Sequence, residues 1–322
     1  MVQESPAAAA CTRNFDYNPV LRVQAGPGHR LLSNKPASFC AGKPHGGCLY
    51  TQFQLHPSFA CAGNGKDIAW YPAFALRGHL PYNKEDMIKT FESGVFAGYF
   101  TEKTDGNFSY KRSDDPEKVR ANFRALSLAL GADPYKIAGA DQVHGTAVAA
   151  AGEGRLHFTE TDALMTDEPG IILTTTHADC IPVQLFDGEH RAAASVHSGW
   201  KGTLNCISGE AVKAMAGRYG TDPAKLRAVI GPGICRDCFE VSDDVYSLFA
   251  PVFPDHIVPG RIPGKYNIDL KGIVRLTLMR AGVPEENIED TGICTCCENE
   301  RFFSYRAGAR IGAQVSVVYI KN

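Results

Sequence analysis

The sequence predicts a mixed-sheet α/β sandwich. After Phe91 the chain alternates strand-like apolar runs with amphipathic helical stretches. Three of those runs, Ile171 to Thr176, Ile181 to Phe186 and Arg191 to Val196, follow one another with no helix between them. The alternation lacks the regular βαβ repeat of a doubly wound sheet.

Residues 1–90 differ. They are rich in Pro, Gly, Cys and His and carry no sustained apolar period, so they read as a partly irregular N-terminal extension to a domain spanning 91–322. His45, Cys48, His56 and Cys61 are metal-compatible, but their irregular spacing fits loosely packed side chains better. Trp70, Tyr71, Phe74 and Leu76 read as a patch that docks onto the main domain.

The elements follow in order. Gly94 to Phe100 is a first core strand. Pro116 to Leu130 is a helix with Val119, Phe123, Leu126 and Leu130 on one face; Pro116 suits its first turn and Gly131 its stop. Lys136 to His144 and Thr146 to Ala150 are strand-like runs around a His144-Gly145 turn, and the three consecutive strands come next. Thr203 to Arg218 reads as one helix, with Leu204, Ile207, Ala211 and Met215 on a common face. Its N-terminus would aim backbone N–H groups at whatever sits beside His197, favouring an anion. Ala228 to Ile230 leads into Gly231-Pro232-Gly233, Asp269 to Ala281 is a second amphipathic helix, and Val315 to Ile320 is a closing strand.

Composition excludes several function classes. With 322 residues, 44% hydrophobic and 21% charged, the chain can bury a full core. Its 33 Lys and Arg stand against 35 Asp and Glu, which gives no basic excess for a phosphate backbone and no polybasic membrane patch. Nucleic acid and membrane are therefore not expected partners. Met1 to Ala10 lacks a basic segment followed by an apolar one, and no run of about 18 apolar residues occurs, so a cytoplasmic protein is expected. Eleven cysteines is an odd count that cannot pair fully, and reduced thiols are the default without a secretion signal. Cys235-Arg236-Asp237-Cys238 has C-x-x-C spacing but no thioredoxin-like context, so an ordinary packing role is favoured over a redox or metal role there and in the Cys294, Cys296, Cys297 cluster.

Three runs end in a metal-compatible side chain: His144 in Gln142-Val143-His144-Gly145, Cys180 in His177-Ala178-Asp179-Cys180, and His197 in Val196-His197-Ser198-Gly199-Trp200-Lys201-Gly202. Each alone is more commonly a packed side chain. Together, two imidazoles and one thiolate are the donors Zn2+ prefers, and three protein ligands leave one position open. Their separations are too long for a zinc finger, so only the tertiary fold can assemble them.

These motifs, with Ile230-Gly231-Pro232-Gly233-Ile234 and Phe302-Phe303-Ser304-Tyr305-Arg306, occur in the order typical of the YfiH family, also labelled laccase-domain, multicopper polyphenol oxidase, purine nucleoside phosphorylase or peptidoglycan editing factor. The resemblance covers roughly residues 91 to 322. It implies a fold similar to the deamidase domain of cytotoxic necrotizing factor and a zinc on the positions matching His144, Cys180 and His197. It also implies action on purine nucleosides: phosphorolysis of adenosine, inosine and methylthioadenosine, and deamination of adenosine to inosine. Copper is discounted, because blue-copper and trinuclear sites need more His ligands.

The chain departs from the family at three cationic positions. Phe100-Thr101-Glu102-Lys103-Thr104-Asp105-Gly106 stands where members carry Thr-Arg-x-Gly-Gly, Asn122-Phe123 where they carry Asn-Arg, and Ile311-Gly312-Ala313 where they carry Thr-Gly-Arg. Lys103 and Arg306 are left as phosphate contacts, Lys103 as a point charge without the guanidinium fork. Asp179 is the candidate for delivering a proton to the leaving amine, or equally an outer hydrogen-bond partner that orients the loop. Trp200 would stack on a base or, more commonly, anchor its own turn. Two other classes stay open: Cys180 as nucleophile with His197 or His144 as base, in an amidase or deamidase acting on peptidoglycan precursors, and a binding protein without turnover.

Overall fold

Strand alternation, read on both faces, settles the architecture. The computed structural model describes residue 84 and residues 87–322, apart from 114, 153 and 309–311. The expectations for His45, Cys48, His56 and Cys61, and for the patch at Trp70, Tyr71, Phe74 and Leu76, lie outside the described residues.

The described chain begins with β1 (Ile88–Glu92), β2 (Phe96–Phe100) and α1 (Pro116–Ala129). A run of strands follows: β3 (Ile137–Ala140), β4 (Val148–Ala150), β5 (His157–Phe158), β6 (Ala163–Thr166), β7 (Ile172–His177), β8 (Ile181–Asp187) and β9 (Ala192–Ser198). Next come α2 (Trp200–Leu204), α3 (Ile207–Tyr219), β10 (Arg227–Ile230), β11 (Glu240–Val241) and α4 (Asp243–Phe249). The chain closes with β12 (Ile257–Pro259), β13 (Tyr266–Ile268), α5 (Leu270–Arg280), β14 (Ile288–Asp290) and β15 (Gln314–Ile320).

One six-stranded sheet has the order β1-β2-β15-β7-β3-β5, a second the order β14-β10-β8-β9-β6-β4, and β11-β13-β12 form a small third. Both large sheets mix parallel pairs, such as β3 with β7 and β4 with β6, with antiparallel ones. Phe96, Phe100, Leu173 and Val318 of the first sheet share a core with Leu164, Phe186 and Ala193 of the second, so the sheets pack face to face. The intervening residues Ala97, Tyr99, Ile172 and Val317 turn the other way and bury α1. On the far face of the second sheet Ile181, Val183 and Val196 pack against Ile207 and Met215 of α3 and Ile273 of α5. The result is a four-layer α/β/β/α sandwich whose long strands are buried on both faces, successive side chains entering different cores. A polar tether crosses the middle: Gln184 Nε2 donates to the carbonyls of Tyr99 and Val317 and to Ser316 Oγ at 3.0, 3.2 and 3.1 Å.

Helix α1 starts where the sequence predicts, with the Asp115 carboxylate accepting the Lys118 N–H at 3.1 Å and Pro116 in the first turn. The helix expected from Thr203 to Arg218 is instead two. Chain direction breaks at Cys206, whose φ is 61°, and Asn205 Nδ2 donates to the Lys201 carbonyl at 2.8 Å, capping the five-residue α2. The apolar face of Ile207, Ala211 and Met215 belongs to α3, so the dipole beside His197 is that of a single short turn.

Candidate metal centre and its cavity

Two of the donors sit where the chain turns and the third in a strand. His144 lies between β3 and β4 with φ 63°, a left-handed conformation unusual for a residue with a Cβ. One carboxylate holds it there: Asp162 accepts the N–H groups of His144 at 2.9 Å and Gly145 at 2.8 Å. Gln142 pins the same turn to the end of β7, accepting Thr176 N–H at 2.8 Å and donating to the Thr176 carbonyl at 2.7 Å. Cys180 follows Asp179, which bends the β7–β8 link at φ 91°. His197 lies in β9; its main-chain N–H donates to the Asp162 carbonyl at 2.7 Å and its Nδ1 to Asp162 Oδ1 at 2.8 Å.

Asp162 therefore organises both histidines, and sequence reasoning gave it no role. The available signal was a carboxylate directly before the apolar run Ala163-Leu164-Met165, a charge that can be fully buried only among partners.

The donor atoms of His144, Cys180 and His197 all lie within 4.8 Å of one another. Cys180 Sγ is 3.5 Å from His144 Nε2. A thiolate sulfur and an imidazole nitrogen sharing a tetrahedral zinc sit roughly 3.5 Å apart, given Zn–S and Zn–N bonds of about 2.3 and 2.0–2.1 Å. The donor set thus fits zinc in type and spacing. Gly199 makes room for it, since a Cβ there would stand 2.2 Å from His144 Cδ2.

Charge in the site is mutually supporting. Burial opposes ionisation of Cys180, but the His197 charge and the hydrogen bonds with His144 and His197 pull its thiol down to about 6. Burial likewise opposes the His197 cation, yet the Cys180 charge and the Asp162 hydrogen bond raise it to about 9. Asp162 is held below the usual carboxylate range by its bonds to His197 and the turn, against the effect of burial. Next door, burial and then the His197 charge push His177 down to about 3, so its ring is neutral. Both His177 ring nitrogens are buried without a hydrogen-bond partner.

The three donors line a cavity of about 1080 Å³. Tyr110 and Phe123, stacked at 6.1 Å with their planes 15° apart, face it, as do Lys111, Arg112, Arg120 and Arg124. Lys111 Nζ is engaged by the Gln142 carbonyl at 2.7 Å and Arg120 by Glu117 at 2.8 Å. Arg112 is different: its guanidinium lies 5.0 Å over the Tyr305 ring and its Nη1 is buried with no hydrogen-bond partner.

The other residues picked from sequence lie elsewhere. Lys103 Nζ donates to the Asn299 carbonyl, lies 5.7 Å over Phe303 and is not a cavity residue. Trp200 does not line the cavity either; it packs on the helical core, 6.4 Å from Phe249. Arg306 points its Nη1 to the carbonyls of Cys238 and Glu240 at 3.1 and 2.8 Å, also outside the cavity. Asp179 has both oxygens occupied, by Thr295 Oγ1 and by the Arg306 N–H, each at 2.7 Å, which is the loop-orienting arrangement. The described residues contain no helix long and apolar enough to cross a membrane.

Comparison with known proteins places these features in a family. Residues 87–321 match the family model described as multi-copper polyphenol oxidoreductase laccase. Adenosine deaminase RL5, from an unknown prokaryotic organism, is 34% identical over 263 residues, covering 75% of this chain and all of that protein. A purine nucleoside phosphorylase of Bacteroides thetaiotaomicron is 33% identical over 251 residues, 74% of this chain and 92% of that one. Among solved structures, the hypothetical protein YfiH of Bacillus licheniformis aligns with a TM-score of 0.67 at 30% identity, covering 70% of this chain and 93% of its own. YlmD from Geobacillus stearothermophilus aligns at 0.66 and 26% identity, covering 73% and 100%. With most of its length matched by the family model and by relatives above 30% identity, this chain belongs to the YfiH, or laccase-like multi-copper polyphenol oxidoreductase, family.

Proposed function

We propose that this protein is a cytoplasmic zinc-dependent purine nucleoside enzyme, catalysing phosphorolysis of adenosine, inosine and methylthioadenosine and deamination of adenosine to inosine. Residues 91–322 are assigned as its catalytic domain and 1–90 as an extension. The observation that carries the reading is the convergence of His144, Cys180 and His197 on the wall of a cavity also lined by the stacked pair Tyr110 and Phe123 and by Arg112, one of whose guanidinium nitrogens has no hydrogen-bond partner. Relatives named for both reactions support the substrate class.

Zinc on three protein ligands supplies an electrophilic position at which water becomes nucleophilic near neutral pH. The chain's own residues do the rest. Asp162 fixes the His197 tautomer and the left-handed His144 turn, so both imidazoles present their Nε2 atoms inward. Tyr110 and Phe123 offer a flat apolar face to a purine. Arg112, with a buried donor still unused, takes over the anion-binding role assigned from sequence to Lys103 and suits the phosphate that attacks the anomeric carbon. Asp179 holds the strap that carries Cys180 rather than transferring a proton.

The test is elemental analysis of purified protein followed by incubation with adenosine, with and without phosphate. Inosine formed without phosphate supports deamination, and adenine formed only with phosphate supports phosphorolysis. Neither product from zinc-loaded protein would discard the reading. One observation favours a second reading: Cys180 Sγ at 3.5 Å from His144 Nε2, beside a His197–Asp162 pair, is also a thiol, base and orienter set for an amidase on peptidoglycan precursors. That activity would survive chelation and pass through a thioester.

A further inference from the structure

We propose that Cys235, Cys238, Cys294 and Cys297 form a second zinc site, a closed tetrathiolate that serves structure rather than turnover. The four side chains come from two C-x-x-C segments whose sequence positions are 59 residues apart, and all four sulfurs lie within 4.8 Å of one another. Cys297 Sγ is 3.4 Å from Cys238 Sγ and 4.0 Å from Cys235 Sγ. These separations are far beyond a disulfide bond of about 2.05 Å. They bracket the ~3.8 Å edge of a tetrahedron with Zn–S bonds of about 2.3 Å.

The backbone is arranged for thiolates. Cys294 Sγ accepts the N–H groups of Cys235 at 3.2 Å and of Cys297 at 3.4 Å, donors that matter to a charged sulfur and little to a neutral one. The two segments are held side by side by a parallel bridge between Gly233 and Cys294. The first is braced by Asn267 Nδ2, which donates to the carbonyls of Arg236 and Asp237 at 2.9 and 3.2 Å, and by Arg306 Nη1 on the Cys238 carbonyl. None of the four lines the cavity that holds His144, Cys180 and His197, so the cluster stands apart from that site. Four protein ligands and no opening is the pattern of a structural zinc, and binding would release the four thiol protons.

The position gives the site a purpose. Thr295, inside the second segment, donates to Asp179 Oδ1, and Ile234, beside the first, donates its N–H to the Asp179 carbonyl at 2.9 Å. The ion would therefore fasten the loops that fix the residue preceding Cys180. This inference stands whether or not the nucleoside reading does.

Metal analysis of the full chain, expressed with zinc and purified under reducing conditions, tests it. Wild type should carry two zinc ions per chain, Cys180→Ala one, and Cys180→Ala with Cys297→Ser none. Cys297→His in the Cys180→Ala background, which restores a donor, should regain the ion. Cobalt exchanged into Cys180→Ala should show the intense sulfur-to-metal charge-transfer bands of an all-thiolate tetrahedron. A zinc-free Cys180→Ala that keeps the wild-type circular dichroism spectrum overturns the proposal. So does an intact mass two hydrogens short of the reduced chain at these cysteines, or iron in place of zinc in that variant.

Discussion

The two sulfur-bearing clusters are built on opposite plans. His144 and Cys180 stand in the links between strands and His197 near the end of β9; together they offer one thiol and two imidazoles and line a cavity. The four cysteines stand on two turns outside that cavity, and two backbone N–H groups donate to one of them, Cys294 Sγ. The contrast lies in the number and kind of donors: three mixed donors on a cavity wall leave a coordination position free, whereas four thiols on two apposed turns fill all four. In the first cluster the Asp162 side chain orients both histidines; in the second the Asn267 and Arg306 side chains brace the first cysteine segment by its carbonyls.

Predictions that sharpen this contrast run from large to small. Cys180→Ala should abolish both nucleoside turnover and one zinc equivalent, measured by product chromatography and metal analysis; full retained activity would remove the open cluster from the chemistry. Asp162→Asn keeps every donor but disturbs both histidines, so zinc affinity or kcat should fall about 10–100-fold, as for other outer-shell partners. Competition with a chelator reads it, and the tetrathiolate zinc should stay. Arg112→Met should raise the KM for phosphate about 10-fold while leaving phosphate-free deamination near wild type, since it removes a charged donor worth about 1.5–3 kcal/mol. An equal loss in both reactions would assign Arg112 to nucleoside rather than phosphate.

The smallest effect is in pH. In metal-stripped protein, Cys180 falls from 9.0 to about 6 and His197 rises from 6.5 to about 9. The lowered thiol contributes stability that is lost as pH falls through about 6; the raised imidazole contributes stability that is lost as pH rises through about 9. The stability difference between stripped wild type and stripped Cys180→Ser should peak between those limits, by urea denaturation across pH. A flat difference would mean the ion pair does not form.

The long strands were legible because their side chains alternate between two cores, as Ile172 and Leu173 do. Strands β5, β11 and β14 were not, being two or three residues long, too short to show a period. The break at Cys206 leaves no trace in composition, because it rests on the left-handed φ of a single residue. His144, Cys180 and His197 were singled out by residue type after apolar runs, and the fold brings the three side chains together. Asp162, Gln142 and Arg112 were not, since each acts through a partner distant in sequence. Lys103, Trp200 and Arg306 show the converse: residue type suggested ligand contact, and packing gave each another neighbour. The closed cluster had a visible signal, since Cys294 to Cys297 repeats the C-x-x-C spacing of Cys235 to Cys238, and only the pair of pairs is informative.

His144 lies where the chain leaves β3 of one sheet for β4 of the other, and Cys180 where it leaves β7 for β8. An ion gripped at both crossings would be a rivet through the sandwich, and its occupancy would be written into the melting curve. At a free metal concentration a thousandfold above Kd, that rivet would add about 4 kcal/mol to folding. Starving the cell of the metal would then threaten the fold's survival as well as its catalysis.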